Sequence, residues 1–239
     1  RQDLGLVMGT LAKKSETAQD EADQKAYRSP IRQKIQFGSG TISYTLEDEN
    51  RKIPINKTTR NILVKVLTAA GIDSKEKKDV IADSILDWID SDTNHRPNGA
   101  ENDFYQSLIP PYLPTNAPIK NLDELSMIRG IDEKLLYGTD QSKGLIYFFT
   151  AYNVKSVNPN TASPEVLSII FSESQAKEIM KVREKKGFYN NTKSNYFKIK
   201  STGKVKGSPT KHTISTVVER INEKEGPTVL THYWNDNSL

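Results

Sequence analysis

The first 57 residues change from a helical to an alternating pattern of apolar positions. Residues 3–26 carry apolar side chains at helical spacing in their first half and alanines at every fourth place in their second half, which predicts an amphipathic helix. The positions of this stripe are Leu4, Val7, Met8, Leu11, Ala18, Ala22 and Ala26. From residue 35 apolar and polar residues alternate, as at Ile42, Tyr44 and Leu46, and this predicts two strands with turns near residues 38–40 and 48–50. The small alanines favour close packing of the helix on this sheet.

The middle of the chain returns to helical spacing. Residues 58–71 and 74–89 predict two helices, and Asp73 or Ser74 is suited to cap the second. A loop rich in proline, asparagine and aspartate covers residues 90–121, with a short helix near residues 104–108. The remaining elements of this part are two short helices over 122–137 bent at Gly130, a strand over 145–152, and a helical pair over 163–171 and 174–186.

The end of the chain alternates again. Strands are predicted over 196–201, 211–222 and 229–234, with turns at Gly203, Gly207 and Gly226. The order of helix, strands, helical block and strands predicts an α+β fold, in which a helical unit is inserted into a sheet domain. The expected division is residues 1–57 for the N-terminal helix and first strands, 58–187 for the inserted helical domain, and 188–239 for the closing strands.

Composition excludes several classes of protein. The chain has 239 residues, a mean hydropathy of −0.63 and a net charge of +4. Its apolar runs are only a few residues long, whereas a membrane span needs about 20. The absence of cysteine removes disulfide frameworks, thiolate catalysis and cysteine-type zinc sites. The three histidines are isolated in sequence and no HExxH, GxSxG or P-loop pattern occurs, so nothing in the sequence predicts an enzyme.

Residues 90–101 have the ligand spacing of a calcium-binding loop. Oxygen-bearing side chains occupy positions 1, 3, 5, 9 and 12 of a twelve-residue loop, and position 7 offers a backbone carbonyl. The side-chain candidates are Asp90, Asp92, Asn94, Asn98 and Glu101, the carbonyl candidate is Arg96, and Asp87 and Asp103 are reserves within a turn of the loop. Position 6 is His95, where an EF-hand requires glycine. The pattern therefore predicts an oxygen-rich calcium loop and no true EF-hand, and the alternative is a solvated acidic turn that caps the next helix.

Residues 157–183 resemble a helix-hairpin-helix module. In DNA-binding versions the hairpin carries a Gly-x-Gly turn whose backbone amides contact phosphate. Here Phe171–Gln175 contain no glycine, and Glu173 would face the phosphate. Leu122–Leu136 resemble a second copy with the same defect. We therefore expect the helical shape without the phosphate contact.

An acid-free stretch over residues 185–218 combines lysines with aromatic residues. Lysine interleaved with aromatics is typical of single-stranded nucleic-acid binding. The alternation of Phe197–Lys200 permits a second interpretation, in which lysines protect an exposed strand from edge-to-edge pairing. We favour the second interpretation and expect no nucleic acid as a partner, because the net charge is only +4.

Seven short motifs resemble those of the K-type minor pseudopilins of bacterial type II secretion, and they occur in the same order as in that family. They are Asp87–Asp92, Gly99–Tyr105, Pro110–Tyr112, Asn116–Ile119, Leu122–Leu125, Ile128–Gly130 and Val157–Leu167. The opening strand over residues 41–48 and the closing strands agree with this family too. The resemblance therefore spans nearly the whole chain, although the abundance of lysine departs from the family.

The resemblance implies a pseudopilin fold, in which an N-terminal helix packs on an antiparallel sheet that carries a large helical insertion. It implies a non-enzymatic protein at the pseudopilus tip that binds I-type and J-type minor pseudopilins and holds calcium in its helical domain. A hydrophobic half-helix before Arg1 would anchor it in the inner membrane, with this domain in the periplasm. Two alternatives remain, a helix-hairpin-helix DNA-binding protein and a calcium-dependent surface or adhesion domain.

Overall fold

The computed structural model describes residues 31–223 and 226–236, with side chains left out of the description for 222–227. These residues form two compact units. The sheet unit takes its described residues from 31–51, 158–161 and 177–236, and the helical unit comprises 52–157 and 162–176. The predicted helix over residues 3–26 lies outside the described residues. The sequence-based domain boundaries at residues 58 and 187 remain predictions.

The sheet unit contains a five-stranded antiparallel sheet in the order β1-β2-β5-β6-β7. The strands are β1 (Ile31–Phe37), β2 (Gly40–Asp48), β5 (Tyr196–Val205), β6 (Lys211–Glu223) and β7 (Gly226–Asn235). This confirms the mixed helix and antiparallel-sheet class. One sheet face carries the core formed by Leu46, Ile199 and Val218, against which Ile31, Phe197 and Val229 pack. The alternation seen in the sequence thus places this core on one face of the sheet.

Two expectations for strand β5 are wrong. Gly203 was expected in a turn, but β5 continues through it to Val205, and the turn follows at Gly207, where φ is +82°. The lysines of this segment were expected on an exposed edge strand. Strand β5 is instead the middle strand of the sheet and pairs with β2 and β6. Edge protection therefore does not explain its lysines.

A buried polar network lies at the end of β2. The Asp48 carboxylate accepts hydrogen bonds from the hydroxyls of Thr161 (2.5 Å) and Ser194 (2.6 Å). It also accepts from the side-chain amide of Asn158 (3.2 Å) and the backbone N–H of Asn50 (2.8 Å). The carboxylate thereby joins three separate segments of the sheet unit, because Asn50 lies beside it in the chain, Asn158 and Thr161 belong to residues 158–161, and Ser194 precedes β5.

The helical unit is built from short helices and a two-stranded parallel sheet. Its helices are α1 (Arg60–Ala69), α2 (Lys75–Ile89), α3 (Asn102–Gln106), α4 (Glu133–Tyr137), α5 (Leu145–Phe148), α6 (Pro164–Ile170) and the start of α7 (Glu173–Lys186). Strands β3 (Ile53–Pro54) and β4 (Phe149–Thr150) pair in parallel, and 3-10 helices cover Ile55–Lys57 and Leu122–Met127. Ser74 caps α2 as predicted, because its hydroxyl accepts the Lys77 N–H at 3.1 Å.

The predicted strand over residues 145–152 is wrong for its first half. Residues 145–148 form helix α5, and only Phe149–Thr150 pair as strand β4. Leu145 and Phe148 are both fully buried. Because they stand three residues apart, one helical turn directs both to the core. None of the helices in the described part of the chain is long and apolar enough to cross a membrane.

Candidate metal centre

Helix α2 directs three carboxylates toward the loop that follows it. Asp83 and Asp87 are four residues apart and lie on one face of the helix. Asp90, three residues further on, is the C-cap and continues that face. The opposite side of this helix end is anchored by Trp88, which is fully buried and meets the ring of Tyr105 edge-on at a centroid distance of 5.2 Å. The aromatic anchor therefore fixes the end of the helix from which the loop departs.

Asp83 is satisfied by protein groups alone. It accepts from Arg60 Nε at 2.6 Å, and from the backbone and side-chain nitrogens of Asn98 at 3.3 and 3.0 Å. Burial on its own would raise the pKa of Asp83, but these hydrogen bonds and the Arg60 charge outweigh burial and hold the pKa below its ordinary value. Asn98, a predicted ligand, thus has its amide nitrogen committed to Asp83.

Arg96 bridges two carboxylates at the start of the loop. Its Nη1 lies 2.6 Å from Asp87 Oδ1 and 2.5 Å from Asp90 Oδ2. Its backbone N–H also points at both oxygens of Asp87, at 3.3 Å each. The Arg96 carbonyl, which the sequence offered as a ligand, accepts the Gly99 N–H at 3.0 Å. The Arg96 side chain therefore places a positive charge between the carboxylates of Asp87 and Asp90.

The space around residue 99 admits glycine but no larger residue. A Cβ at this position would lie 1.7 Å from Asp87 Oδ2 and 2.7 Å from its Cγ. Any side chain would therefore displace the fully buried Asp87 carboxylate. The Gly99 carbonyl accepts from Arg129 Nη1 at 3.1 Å, and the Arg129 guanidinium lies 4.7 Å from the centre of the Phe104 ring. The close approach of loop and helix thus depends on this glycine.

Glu101 is the most unusual group of the loop. Its side chain is buried, with 1% exposure, and neither carboxylate oxygen has a hydrogen-bond partner among the described residues. Burial, together with the charges of Asp87 and Asp90, raises the pKa of Glu101, and His95 opposes this shift. Oδ1 of Asp90 is likewise buried without a hydrogen-bond partner. Three carboxylate oxygens at the two ends of the loop are therefore unsatisfied by the protein.

The other predicted ligands lie at the surface of the loop. Asp92 is exposed, and its Oδ1 accepts the backbone N–H of Asn94 at 2.8 Å and the Asn94 side-chain amide at 2.9 Å. Asp103 pairs with Nε2 of His95 at 2.8 Å. Among the residues that the structure describes, no group of three or more histidine, aspartate or glutamate side chains has the arrangement of a preformed metal site.

The donor set nevertheless fits a hard cation. Buried carboxylate oxygens without hydrogen bonds are costly, and a cation with oxygen ligands removes that cost. Asp90 and Glu101 supply such oxygens, while Asp87 adds negative charge beside them. Sequence reasoning named these three residues but missed Asp83, which positions Asn98. The signal for Asp83 was present, because it precedes Asp87 by one helical turn.

The helical hairpin between α6 and α7 satisfies its own amides. The Ser172 N–H donates to Gln175 Oε1 at 3.1 Å, and the Gln175 N–H donates to Ser172 Oγ at 3.3 Å. This reciprocal pair is the capping-box arrangement. Two backbone amides of this hairpin, those of Ser172 and Gln175, are thus already paired within the protein.

Comparison with known proteins finds similarity between this chain and proteins of type II secretion systems. Residues 44–138, which include the whole loop, match the family model described as type II secretion system (T2SS), protein K. The chain is 28% identical over 163 residues to type II secretion system protein K of Pectobacterium carotovorum subsp. carotovorum. That alignment covers 64% of this chain and 47% of the relative, so the chain spans about half the length of such relatives.

Two further comparisons agree. A putative type II secretion system protein K of Escherichia coli K12 is 43% identical over 70 residues, covering 29% of this chain and 21% of that protein. The fold is similar to one chain in the crystal structure of the GspK–GspI–GspJ complex from the type 2 secretion system of enterotoxigenic E. coli. That match has a TM-score of 0.65 at 17% identity and covers 100% of this chain and 98% of the other.

Proposed function

Since residues 44–138 match the family model of type II secretion system protein K, we propose that this chain belongs to that family and is a minor pseudopilin of that system. In this proposal it has no enzymatic role. It assembles with I-type and J-type minor pseudopilins at the tip of the pseudopilus, and so supports pseudopilus assembly and protein export across the outer membrane. The observation that carries the proposal is the family match together with a fold similarity that extends over 100% of the chain.

The partners follow from the structural neighbour, which was crystallised as a GspK–GspI–GspJ complex. We further propose a pseudopilin fold, with the predicted helix of residues 3–26 packed on the apolar face of the five-stranded sheet. The core around Leu46, Ile199 and Val218 supports this, because it lies on one face of the sheet. An inner-membrane anchor upstream of Arg1 and a periplasmic position for this domain complete the proposal.

Assembly is tested by co-purification of this chain with the I-type and J-type proteins of the same organism. We expect one complex that contains all three proteins. Val7→Glu places a charge in the apolar stripe of the predicted helix and should weaken the complex at least about tenfold, since burial of an unpaired charge costs several kcal/mol. Gln24→Glu, on the polar side of the same predicted helix, is the matched control. Failure of the unaltered proteins to associate would contradict the proposal.

We also propose that the loop over residues 90–101 binds calcium. Asp90 and Glu101 support this most strongly, since both have buried oxygens that lack hydrogen bonds. Asp92, Asn94 and the carbonyl of Arg96 are the further ligands proposed from the sequence, with Asn98 and Asp103 in supporting positions. Calcium suits such a set because it accepts carboxylate, amide and carbonyl oxygens in a flexible geometry.

Calcium binding to the native state is expected to raise the Tm by mass action. Addition of about 1 mM calcium, followed by excess chelator, should raise and then lower the Tm. Glu101→Ala should abolish the response, whereas Glu133→Ala, an exposed glutamate at the start of α4, should retain it. An unchanged response in Glu101→Ala would contradict the loop assignment.

A further inference from the structure

Asn98 and Gly99 are the one place in the sequence where asparagine is followed by glycine. Spontaneous deamidation of proteins is fastest at this dipeptide, because glycine has no side chain to hinder the attack of its nitrogen on the preceding asparagine. Asn98 is exposed, so water has access to it. Sequence and exposure alone therefore mark residue 98 as a site of covalent change.

Deamidation at this pair is a cyclisation followed by hydrolysis. The backbone nitrogen of Gly99 gives its proton to a base in the solvent and attacks Cγ of Asn98. A bond forms between that nitrogen and Cγ, while the bond from Cγ to Nδ2 breaks and Nδ2 leaves as ammonia with a proton from water. Water then opens the resulting succinimide ring at either carbonyl carbon, which leaves aspartate or isoaspartate at residue 98. Overall, water is consumed, ammonia is released, and nothing is oxidised or reduced.

The folded loop holds both reacting groups in hydrogen bonds to other partners. The Gly99 N–H donates to the Arg96 carbonyl at 3.0 Å, which closes a β-turn with Pro97 at its second position. Nδ2 of Asn98 donates to Asp83 Oδ2 at 3.0 Å, and the Asn98 backbone N–H donates to the same oxygen at 3.3 Å. The attack requires the Gly99 nitrogen to face Asn98 Cγ at near-attack distance, so the turn has to open before it can react.

The two ends of the turn are anchored on helix α2. Nη1 of Arg96 lies 2.6 Å from Asp87 Oδ1 and 2.5 Å from Asp90 Oδ2. Gly99 approaches the same helix so closely that a Cβ there would lie 1.7 Å from Oδ2 of Asp87, which is fully buried. Opening of the turn therefore costs these contacts, and the open state is a minor fraction of the native protein.

We propose that Asn98 is a deamidation site that reacts only when the turn over residues 96–99 opens, and that the reaction then prevents the turn from closing again. The exposed side chain is therefore protected in the folded protein, although it belongs to the most reactive dipeptide. This chemistry is independent of the proposed function, since it needs no partner and no bound cation.

Either product is incompatible with the closed turn. Aspartate at residue 98 places a carboxylate against Asp83 Oδ2, where the amide nitrogen of Asn98 donates in the native protein, and like charges at that distance repel. Isoaspartate sends the main chain through the former side chain and adds one methylene before Gly99. The position of Gly99 has no room for even a Cβ, so the lengthened chain cannot return to it. Each molecule that reacts is therefore left with an open turn.

The test follows deamidation of the folded full chain in chelator, at mildly alkaline pH and constant temperature. Peptide mass spectrometry after proteolysis quantifies asparagine, aspartate and isoaspartate at residue 98. A synthetic peptide of residues 93–103 and the full chain unfolded in urea serve as references. We expect residue 98 to react at least about tenfold more slowly in the folded chain than in either reference. Equal rates in the folded chain and the peptide, or no reaction in the two references, would overturn the inference.

Two aspartates of helix α2 separate the hydrogen bond to Asn98 from the general stability of the helix. Asp83→Ala removes the acceptor of the Asn98 amide and should speed the reaction in the folded chain about fivefold. Asp79→Ala is the matched control and should react at the parental rate, because Asp79 also pairs with Arg60 but its other oxygen accepts from Lys75. If Asp83→Ala does not fold, Asp83→Asn, a weaker neutral acceptor of similar size, should speed the reaction by a smaller factor. Equal rates in the folded Asp83 and Asp79 variants would overturn the inference.

The effect of the reaction on the fold is measured with Asn98→Asp, which reproduces one of the two products. Its Tm at neutral pH should lie about 3 °C below that of the parent. Asn61→Asp, at an exposed position of helix α1, is the control and should keep the parental Tm. The isoaspartate fraction of the aged protein, separated by ion exchange, should show the larger decrease in Tm. A parental Tm for both products would mean that the turn closes after the reaction, and would overturn the inference.

Discussion

Asp48 in the sheet unit and Glu101 in the helical unit are both buried carboxylates, with 5% and 1% exposure. Burial raises the pKa of each of them. Within the part of the chain that the structure describes, Asp48 accepts at least four hydrogen bonds, whereas both oxygens of Glu101 lack a hydrogen-bond partner. The two residues are therefore alike in burial and opposite in how the protein satisfies them.

The difference separates a structural group from a binding group. A buried carboxylate with a full set of donors holds its neighbours in place, and its loss leaves those donors unpaired. A buried carboxylate without donors destabilises the native state until a proton or a cation binds to it. We therefore assign Asp48 to the architecture of the sheet unit and Glu101 to the calcium site proposed for the loop.

Truncation of Asp48 should give the largest loss of stability. Asp48→Ala leaves the hydroxyls of Thr161 and Ser194 and the amide of Asn158 without their acceptor, so we expect a loss of about 3 kcal/mol. Urea unfolding measures this loss. Glu47→Ala, on the other face of the same strand, is the control and should cost less than about 1 kcal/mol. Equal losses of unfolding free energy in the two variants would contradict the structural role of Asp48.

Gly99→Ala should have the next largest effect. The new Cβ would collide with the buried carboxylate of Asp87, and we expect a loss of about 2 kcal/mol in the free energy of unfolding. Gly203→Ala is the matched control, because a Cβ there meets nothing within 4 Å. Its effect should stay within about 0.5 kcal/mol. If Gly99→Ala unfolds at the same urea concentration as Gly203→Ala, the loop does not depend on this close approach.

The pH dependence of the free energy of unfolding tests the role of Asp48 in a second way, and its expected effect is smaller than that of the two substitutions above. Burial raises the pKa of Asp48 above 3.8, against the opposing hydrogen bonds from Ser194 and Thr161. The folded state then holds this proton more tightly than the unfolded state does. Stability from this group is therefore greatest below the unfolded pKa and falls as pH rises through the folded pKa.

Asp48→Asn does not titrate and should lack this contribution. The measurement is the free energy of urea unfolding of parent and variant from about pH 3 to pH 7. Relative to the variant, the parent should lose stability as the pH rises across this range. A constant difference between the two proteins across the range would contradict the raised pKa.

Much of the fold could be predicted where local patterns decide it. Alternation at Ile42, Tyr44 and Leu46 placed strand β2, and Ser74 marked the start of helix α2. Pairing partners could not be read locally, because strand order depends on residues far apart in sequence. The lysines of β5 were therefore assigned to an edge although β5 lies in the middle of the sheet.

The loop over residues 90–101, for which we propose calcium binding, was identified by the spacing of its oxygen-bearing residues, and its contacts are set by packing. Spacing identified Asp90 and Glu101, the two residues whose buried oxygens lack hydrogen bonds. It did not reveal that Asn98 donates to Asp83, or that the Arg96 side chain bridges Asp87 and Asp90. These contacts depend on where the loop folds back on helix α2, which a ligand pattern does not encode.

Direct calcium titration tests the assignment of Glu101 most directly. Isothermal titration calorimetry should detect calcium binding by the parent with a Kd at or below about 1 mM. Glu101→Gln, which keeps the size of the side chain but removes its charge, should weaken binding at least about tenfold. Asp48→Asn should bind calcium like the parent. Parental binding by Glu101→Gln, or loss of binding by a folded Asp48→Asn, would contradict the distinction between the two buried carboxylates.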